Sequence, residues 1–140
     1  MSFENVTFRL LGVYAPNNPL ERVTFFNGLR DILDDGIDAE NVFGGDWNCA
    51  LNPLIDRYNC IKSNDLGNYD LKLLSDILDI EDTYRRRNPD TREYSWSGRG
   101  KKSRIDFCLA SISLNSQIKD IFYSVAPYTD HSAVNVIIDR

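Results

Sequence analysis

Asn41-Val42-Phe43-Gly44-Gly45-Asp46-Trp47-Asn48 ends a short apolar run in two glycines, then presents a carboxylate and a carboxamide separated by one tryptophan. Glycine permits tight turns and close approach of backbone or ligand. If the chain stays extended, residues two apart point the same way, which sets Asp46 beside Asn48. An anionic acceptor next to an amide donor suits a metal, a water or a phosphate. The same two residues also build turns, because their side chains bond the backbone two positions on. On either reading a strand ends here and delivers polar groups to the end of a sheet.

Upstream, Val6–Tyr14 reads as a strand with Phe8 and Leu10 on one alternating set and Leu11 and Val13 on the other. That pattern predicts an interior strand covered on both faces. The prolines of Tyr14-Ala15-Pro16-Asn17-Asn18-Pro19 force a loop. Asn18 can then cap a helix, with Pro19 at its first position and Glu21 completing a capping box. Phe25, Phe26, Leu29, Ile32 and Leu33 form its apolar stripe and Gly36 its stop.

Downstream, residues 52–69 are polar and irregular, and a second helix is predicted over Tyr69–Asp79, capped by Asn68, with Leu71, Leu74 and Leu78 on one face. Alternation then takes over. Tyr94 and Trp96 share a face in Arg92–Ser97, as do Ile105, Phe107 and Leu109 in Ser103–Ala110, with Gly98-Arg99-Gly100-Lys101 as the hairpin turn between. Ile118–Val125 and Ala133–Ile138 supply the last strands. The pattern is α+β, with helices laid on a sheet.

The chain has 140 residues, 42% hydrophobic and 26% charged, which fits one soluble domain with its own core. No apolar run is long enough to span a membrane, and Met1-Ser2-Phe3-Glu4-Asn5 lacks the basic start and apolar block of a signal peptide. A nuclear or cytoplasmic protein, not secreted, is therefore expected. Three cysteines without Cys-x-x-Cys spacing suggest neither a disulfide framework nor a zinc site. The net charge of −5 hides an asymmetry: residues 31–82 hold thirteen acids against three bases, and residues 85–104 hold eight bases against two acids. The basic run is either a solvated face or a local landing site for a polyanion. The acidic whole argues against tight, sequence-independent nucleic-acid binding.

His131 is the only histidine, and Asp130 precedes it in a proline-marked loop. In the Ser103–Ala110 strand Asp106 faces away from its apolar neighbours, and a carboxylate in such company needs a partner. Arg104 or His131 can serve. An Asp–His pair orients the imidazole, fixes its tautomer and favours its charged form. Asp46 with Asn48, Asp106 with His131, and Asp130 all fall at strand ends or the loops beyond them. That constellation suits metal-assisted phosphoester hydrolysis.

The order Tyr14-Ala15-Pro16-Asn17, Gly45-Asp46-Trp47-Asn48, Ser103-Arg104-Ile105-Asp106, Thr129-Asp130-His131 resembles the endonuclease/exonuclease/phosphatase superfamily. The wider context from Val42 to Pro53, with Asp56-Arg57 after it and Tyr94-Ser95-Trp96 before the Ser-Arg-Ile-Asp segment, is most similar to endonuclease domains of LINE-type retrotransposons. The resemblance implies the following roles. His131 acts at the attacking water and scissile phosphate, and Asp106 orients it. Asp46 positions or deprotonates the water, and Asn48 donates to a phosphate oxygen. Tyr14 and Asn17 line the phosphate site, and Asp130 helps to hold Mg²⁺ or Mn²⁺. Arg99, Lys101, Lys102 and Arg104 contact the substrate, which is DNA.

The resemblance covers the second half of such a domain only, so residues 1–140 are expected to be one domain without the first half and its metal-binding Glu. The expected fold is half of a four-layer α/β/β/α sandwich, one mixed, mostly antiparallel sheet with helices on its outer face. The bare inner face calls for a cover, either a second copy in a homodimer or the missing N-terminal half. Two functions follow: a DNA endonuclease, weak or inactive as this chain alone, or a non-catalytic oligomerising or nucleic-acid-binding module derived from it. A phosphatase of small substrates is a third, ill suited to an acidic surface.

Overall fold

The computed structural model describes residues 6–60 and 64–139. The leading pentapeptide, read above for a signal sequence, lies outside them. In chain order the elements are β1 (Phe8–Tyr14), α1 (Pro19–Leu33), β2 (Glu40–Asp46), α2 (Pro53–Asp56), β3 (Arg57–Tyr58), α3 (Asn68–Leu78) and β4 (Ile80–Asp82). They continue with α4 (Thr83–Arg87), β5 (Trp96–Gly98), β6 (Lys101–Ser103), β7 (Asp106–Ser111), a 3-10 helix (Ile112–Gln117), β8 (Ile118–Val125) and β9 (Ser132–Ile138).

The glycine-ended run becomes β2, a central strand of the main sheet, whose order is β1-β2-β7-β4. β1 is parallel to β2, and the other pairs are antiparallel. Gly45 is required where it stands: its φ is +145°, and a Cβ there would lie 2.0 Å from the Val13 carbonyl oxygen. One face of the sheet packs Val13, Phe43, Phe107 and Leu109 in a cluster with Phe26 and Leu33 of α1 and Leu71 and Leu74 of α3. Trp47 anchors the cluster, stacking on Phe107 at 5.5 Å and donating its indole N–H to the Phe107 carbonyl at 2.8 Å. On the other face Cys108 and Ala110 meet Leu114, Ile118, Val136 and Ile138. β7 is therefore buried throughout. β3, β6 and β5 form a second sheet, and β8 and β9 a hairpin of their own. The α+β class and the mixed, mostly antiparallel main sheet are as expected.

The termini of α1 follow local chemistry. Asn18 Oδ1 accepts from the Leu20 and Glu21 amides, and Pro19 occupies the first position. Ile32, placed in its apolar stripe by periodicity, is instead exposed, while Arg22 is buried and donates to the Asn17, Asn64 and Leu66 carbonyls. α3 begins one residue earlier than predicted, with Gly67 as its cap at φ +104°. Asn68, the expected cap, spends its side chain on the Ala50 carbonyl.

Two strand predictions change. Among the described residues β1 pairs only with β2, so it is an edge strand rather than an interior one, and Leu10 is 73% exposed because none of them packs over its side chain. The predicted strand Ser103–Ala110 breaks at Arg104-Ile105. There the Arg104 amide donates to the Asp56 carbonyl and the Ile105 carbonyl accepts from Trp47, so the chain passes from the small sheet to the main one. The Arg104 side chain is 0% exposed. Its guanidinium is shared between Asp56 and Asp82 and lies over the Tyr84 and Phe107 rings. Arg104→Met would leave Asp82 without its cation and Asp56 with Arg85 alone. Urea unfolding is expected to show a loss of about 3–5 kcal/mol, the cost of breaking a buried ion pair from one side. A variant within about 0.5 kcal/mol of wild type, the range of an ordinary surface change, would contradict this assignment.

Candidate active site

Asp46 closes β2 directly opposite Asp106, which opens β7; the two are register partners. Asn48 follows at φ +52°, so the extended geometry does not persist past Asp46. Its amide donates to Asp46 Oδ1 at 2.9 Å, and its carboxamide donates to the Ala15 carbonyl at 2.7 Å. The turn reading of the opening stretch is what the structure shows. The segment is a turn closed by its own aspartate, and it lines a cleft.

His131 enters from the β8–β9 loop. Its Nδ1 is 2.8 Å from Asp106 Oδ2. Its Nε2 is 3.9 Å from both Asp46 Oδ2 and Asp130 Oδ1, beyond hydrogen-bond range and open to a third atom. Arg104, the other partner considered for Asp106 and a predicted substrate contact, is neither; it is consumed by Asp56 and Asp82.

Two residues that sequence reasoning missed hold the pair. Ser95 is buried, and its hydroxyl accepts from the Ile105 and Asp106 amides at 3.0 Å each. Its carbonyl accepts from Ser132, the residue after His131. One serine thus ties the Asp106 strand to the His131 loop. Tyr123 donates its hydroxyl to the Asp106 carbonyl at 2.7 Å. Only the neighbouring Tyr94-Ser95-Trp96 motif pointed towards Ser95.

The cleft has a volume of about 510 Å³ and gathers Tyr14, Asn17, Asp46, Asn48 and His131. Tyr14 stands at its rim, 81% exposed. Arg57 is a further wall residue, bonded to Asp65 and to the Ser103 hydroxyl. Asp106 sits behind His131. Asp130 lies outside the cleft, 67% exposed at its side chain, and accepts from the Trp96 indole at 3.0 Å. Arg99, Lys101 and Lys102 are exposed on the β5–β6 hairpin, away from the cleft wall.

Burial raises the Asp46 pKa above the usual carboxylate value, against the Asn48 amide and the His131 charge, which lower it. Burial raises Asp106 too, with the opposing Asp46 charge adding to it and His131 and Ser95 opposing it. For His131 burial works downward, but the hydrogen bond to Asp106 and the charges of Asp106, Asp46 and Asp130 outweigh it, and the net shift is upward.

Asp46, Asp106 and His131 offer donor atoms within 4.8 Å of one another, a trio that does not include Asp130. The three could hold a cation among them, and Asp106 and His131 are at the same time bonded to each other. The donor set fits a hard cation held through carboxylate oxygen and water, with the imidazole pair left intact.

No family model matches the chain. An uncharacterized 149 kDa protein of transposon TX1 from Xenopus laevis is 32% identical over 136 residues, covering 93% of this chain and 10% of that protein. An AP endonuclease from Archaeoglobus fulgidus superposes with a TM-score of 0.82 at 19% identity, over 95% of this chain and 62% of its own. The 3′ phosphatase NExo from Neisseria, bound to a product DNA hairpin, gives 0.78 at 20% identity, over 93% and 61%. The chain thus spans a tenth of the transposon protein and about three fifths of the solved structures. Fold and motif order agree: the chain carries the endonuclease/exonuclease/phosphatase fold. By sequence it is similar to a transposon protein, in line with its LINE-type motifs.

In metal-free buffer, an NMR titration of the His131 ring is expected to give a pKa above the ordinary value of about 6.5, and Asp106→Asn to lower it. Since the folded value is raised, the charged pair stabilises the protein fully below about pH 6.5 and loses that effect as pH rises through the folded pKa. The stability difference between wild type and His131→Gln should therefore shrink with rising pH. A His131 pKa indifferent to Asp106→Asn would contradict the pairing.

Proposed function

We propose that this chain carries the catalytic groups of a metal-dependent DNA endonuclease of the retroelement type. The observation that supports it is the convergence of Asp46, Asn48 and the Asp106–His131 pair on one cleft. Asp106 holds Nδ1, so the imidazole presents Nε2 to the cleft. His131, kept protonated to higher pH than usual, donates to a non-bridging phosphate oxygen and offsets its developing charge. Asp46, more basic than an exposed aspartate, orients the attacking water and takes its proton. Asn48 and the Tyr14 hydroxyl supply neutral donors to the phosphate, and Asn17 lines its seat. A Mg²⁺ or Mn²⁺ would neutralise phosphate charge when bound, and Asp130 and the Asp46 oxygen not turned to the water would hold it.

The active form contains more than these residues. Leu10 on β1, Phe122 on β8 and Ile137 on β9 are exposed apolar side chains on the strands nearest the site. A first-half segment or a second copy covers them and completes the metal site. Among the described residues no helix is long and apolar enough to cross a membrane.

Supercoiled plasmid incubated with Mg²⁺ tests the reading, using the chain alone and the chain mixed with a first-half polypeptide. Open circles are expected in the complemented reaction, and His131→Ala should slow their formation by about 10²–10⁴-fold. Nicking unchanged by His131→Ala would overturn the assignment. Absence of nicking in every combination would favour a non-catalytic module.

A further inference from the structure

A second groove, about 330 Å³, opens on the far side of His131 and Trp96, which line both this groove and the catalytic cleft. Tyr94, Ser97, Lys102 and Arg92 line it from the side of the small sheet. In that sheet Lys102 is the register partner of both Tyr58 and Ser97, so the three share one face. The opposite face carries Arg57, Ser103 and Trp96. The groove side is therefore a surface of its own, continuous with the cleft only at its edge.

Its chemistry is aromatic and cationic. Tyr58 is 55% exposed, and its ring lies 6.5 Å from that of Tyr94 with the planes tilted by 56°. The two rings do not stack on each other, so they do not use up their faces between themselves. Lys102 and Arg92 are exposed and line the groove beside Tyr94. Two acids also line the groove, Asp130, which accepts from the Trp96 indole, and Glu93. A chain of net charge −5 thus concentrates cations beside two available aromatic rings. Aromatic faces bind bases only where those bases are unstacked, and cations beside them follow the phosphates. The acidic remainder limits the footprint to a few nucleotides.

We propose that this groove and the adjoining Tyr58 face of the small sheet bind an unpaired nucleic-acid segment running on from the phosphate at His131, its bases stacking on Tyr94 and Tyr58 and its phosphates meeting Lys102 and Arg92. The placing of that phosphate rests on the nuclease reading; the groove's own chemistry does not.

The test is a ¹⁵N NMR titration of the whole chain with oligothymidylate of about eight nucleotides, within the usual span of single-strand sites. Amide shifts are expected at Tyr58, Tyr94, Ser97 and Lys102 together with His131. Tyr58→Ala should weaken binding by about 5- to 150-fold, the range for one lost base stack. Lys102→Gln with Arg92→Gln should reduce the slope of log affinity against log salt by about 1.4, or 0.7 per phosphate contact. Shifts confined to Tyr14, Asn17, Asn48 and His131 would overturn the groove while leaving the nuclease reading standing. Shifts at neither place would count against both, and groove shifts without His131 would break the proposed continuity. Equal binding of a fully paired hairpin with the same shifts would overturn the requirement for unpaired bases.

Discussion

Two carboxylates, Asp46 and Asp106, face each other across the β2–β7 pair, and like charges directly opposite in a sheet repel. Partial burial makes the repulsion harder to screen and raises both pKa values. The fold tolerates the arrangement because an imidazole from the far end of the chain reaches in beside them. His131 bonds Asp106 and turns its second nitrogen towards Asp46. The strain of one acidic pair thereby sets the charge, orientation and reach of the single histidine.

That placement depends on a break in what would otherwise be one long strand. Arg104 sinks between Asp56 and Asp82, and Tyr123 joins the network by accepting from Arg104 and donating to the Asp106 carbonyl. The chain then resumes as β7 with Asp106 at its head. Ser95 completes the frame by bonding both the broken strand and the residue after His131. A buried cation shared by two carboxylates is costly to desolvate, and its return here is geometric. It fixes where a strand stops and the site begins.

Part of this is legible in the sequence because it is local: two glycines end β2 and Asn18-Pro19 starts α1. That Asp106 needed a partner was also legible, but the choice of His131 over Arg104 came from the family resemblance. What sequence did not disclose is long-range. Arg104 has the composition of a surface residue, and only its two distant aspartates make it an interior one. Leu10 has the pattern of a covered strand, yet no described residue packs over it, although Phe8 of the same alternating set is partly buried. Ser95, Tyr123 and Arg57 act through partners 11, 17 and 46 residues away, beyond any periodic signal. Asp130 was placed with the metal on motif order alone, and its bond to the Trp96 indole could not be read from a linear chain.

The role given to His131 requires that Asp106 hold the Nδ1 proton in both charge states, so that the proton gained on charging sits on Nε2 facing the cleft and the neutral ring keeps its proton on Nδ1. Long-range ¹H–¹⁵N correlation spectra of the imidazole, recorded above its pKa, distinguish the two tautomers directly. Proton on Nδ1 and a bare Nε2, reverting to the mixed pattern of a free histidine in Asp106→Asn, is the predicted result. A neutral ring protonated on Nε2 in the wild-type chain would contradict it.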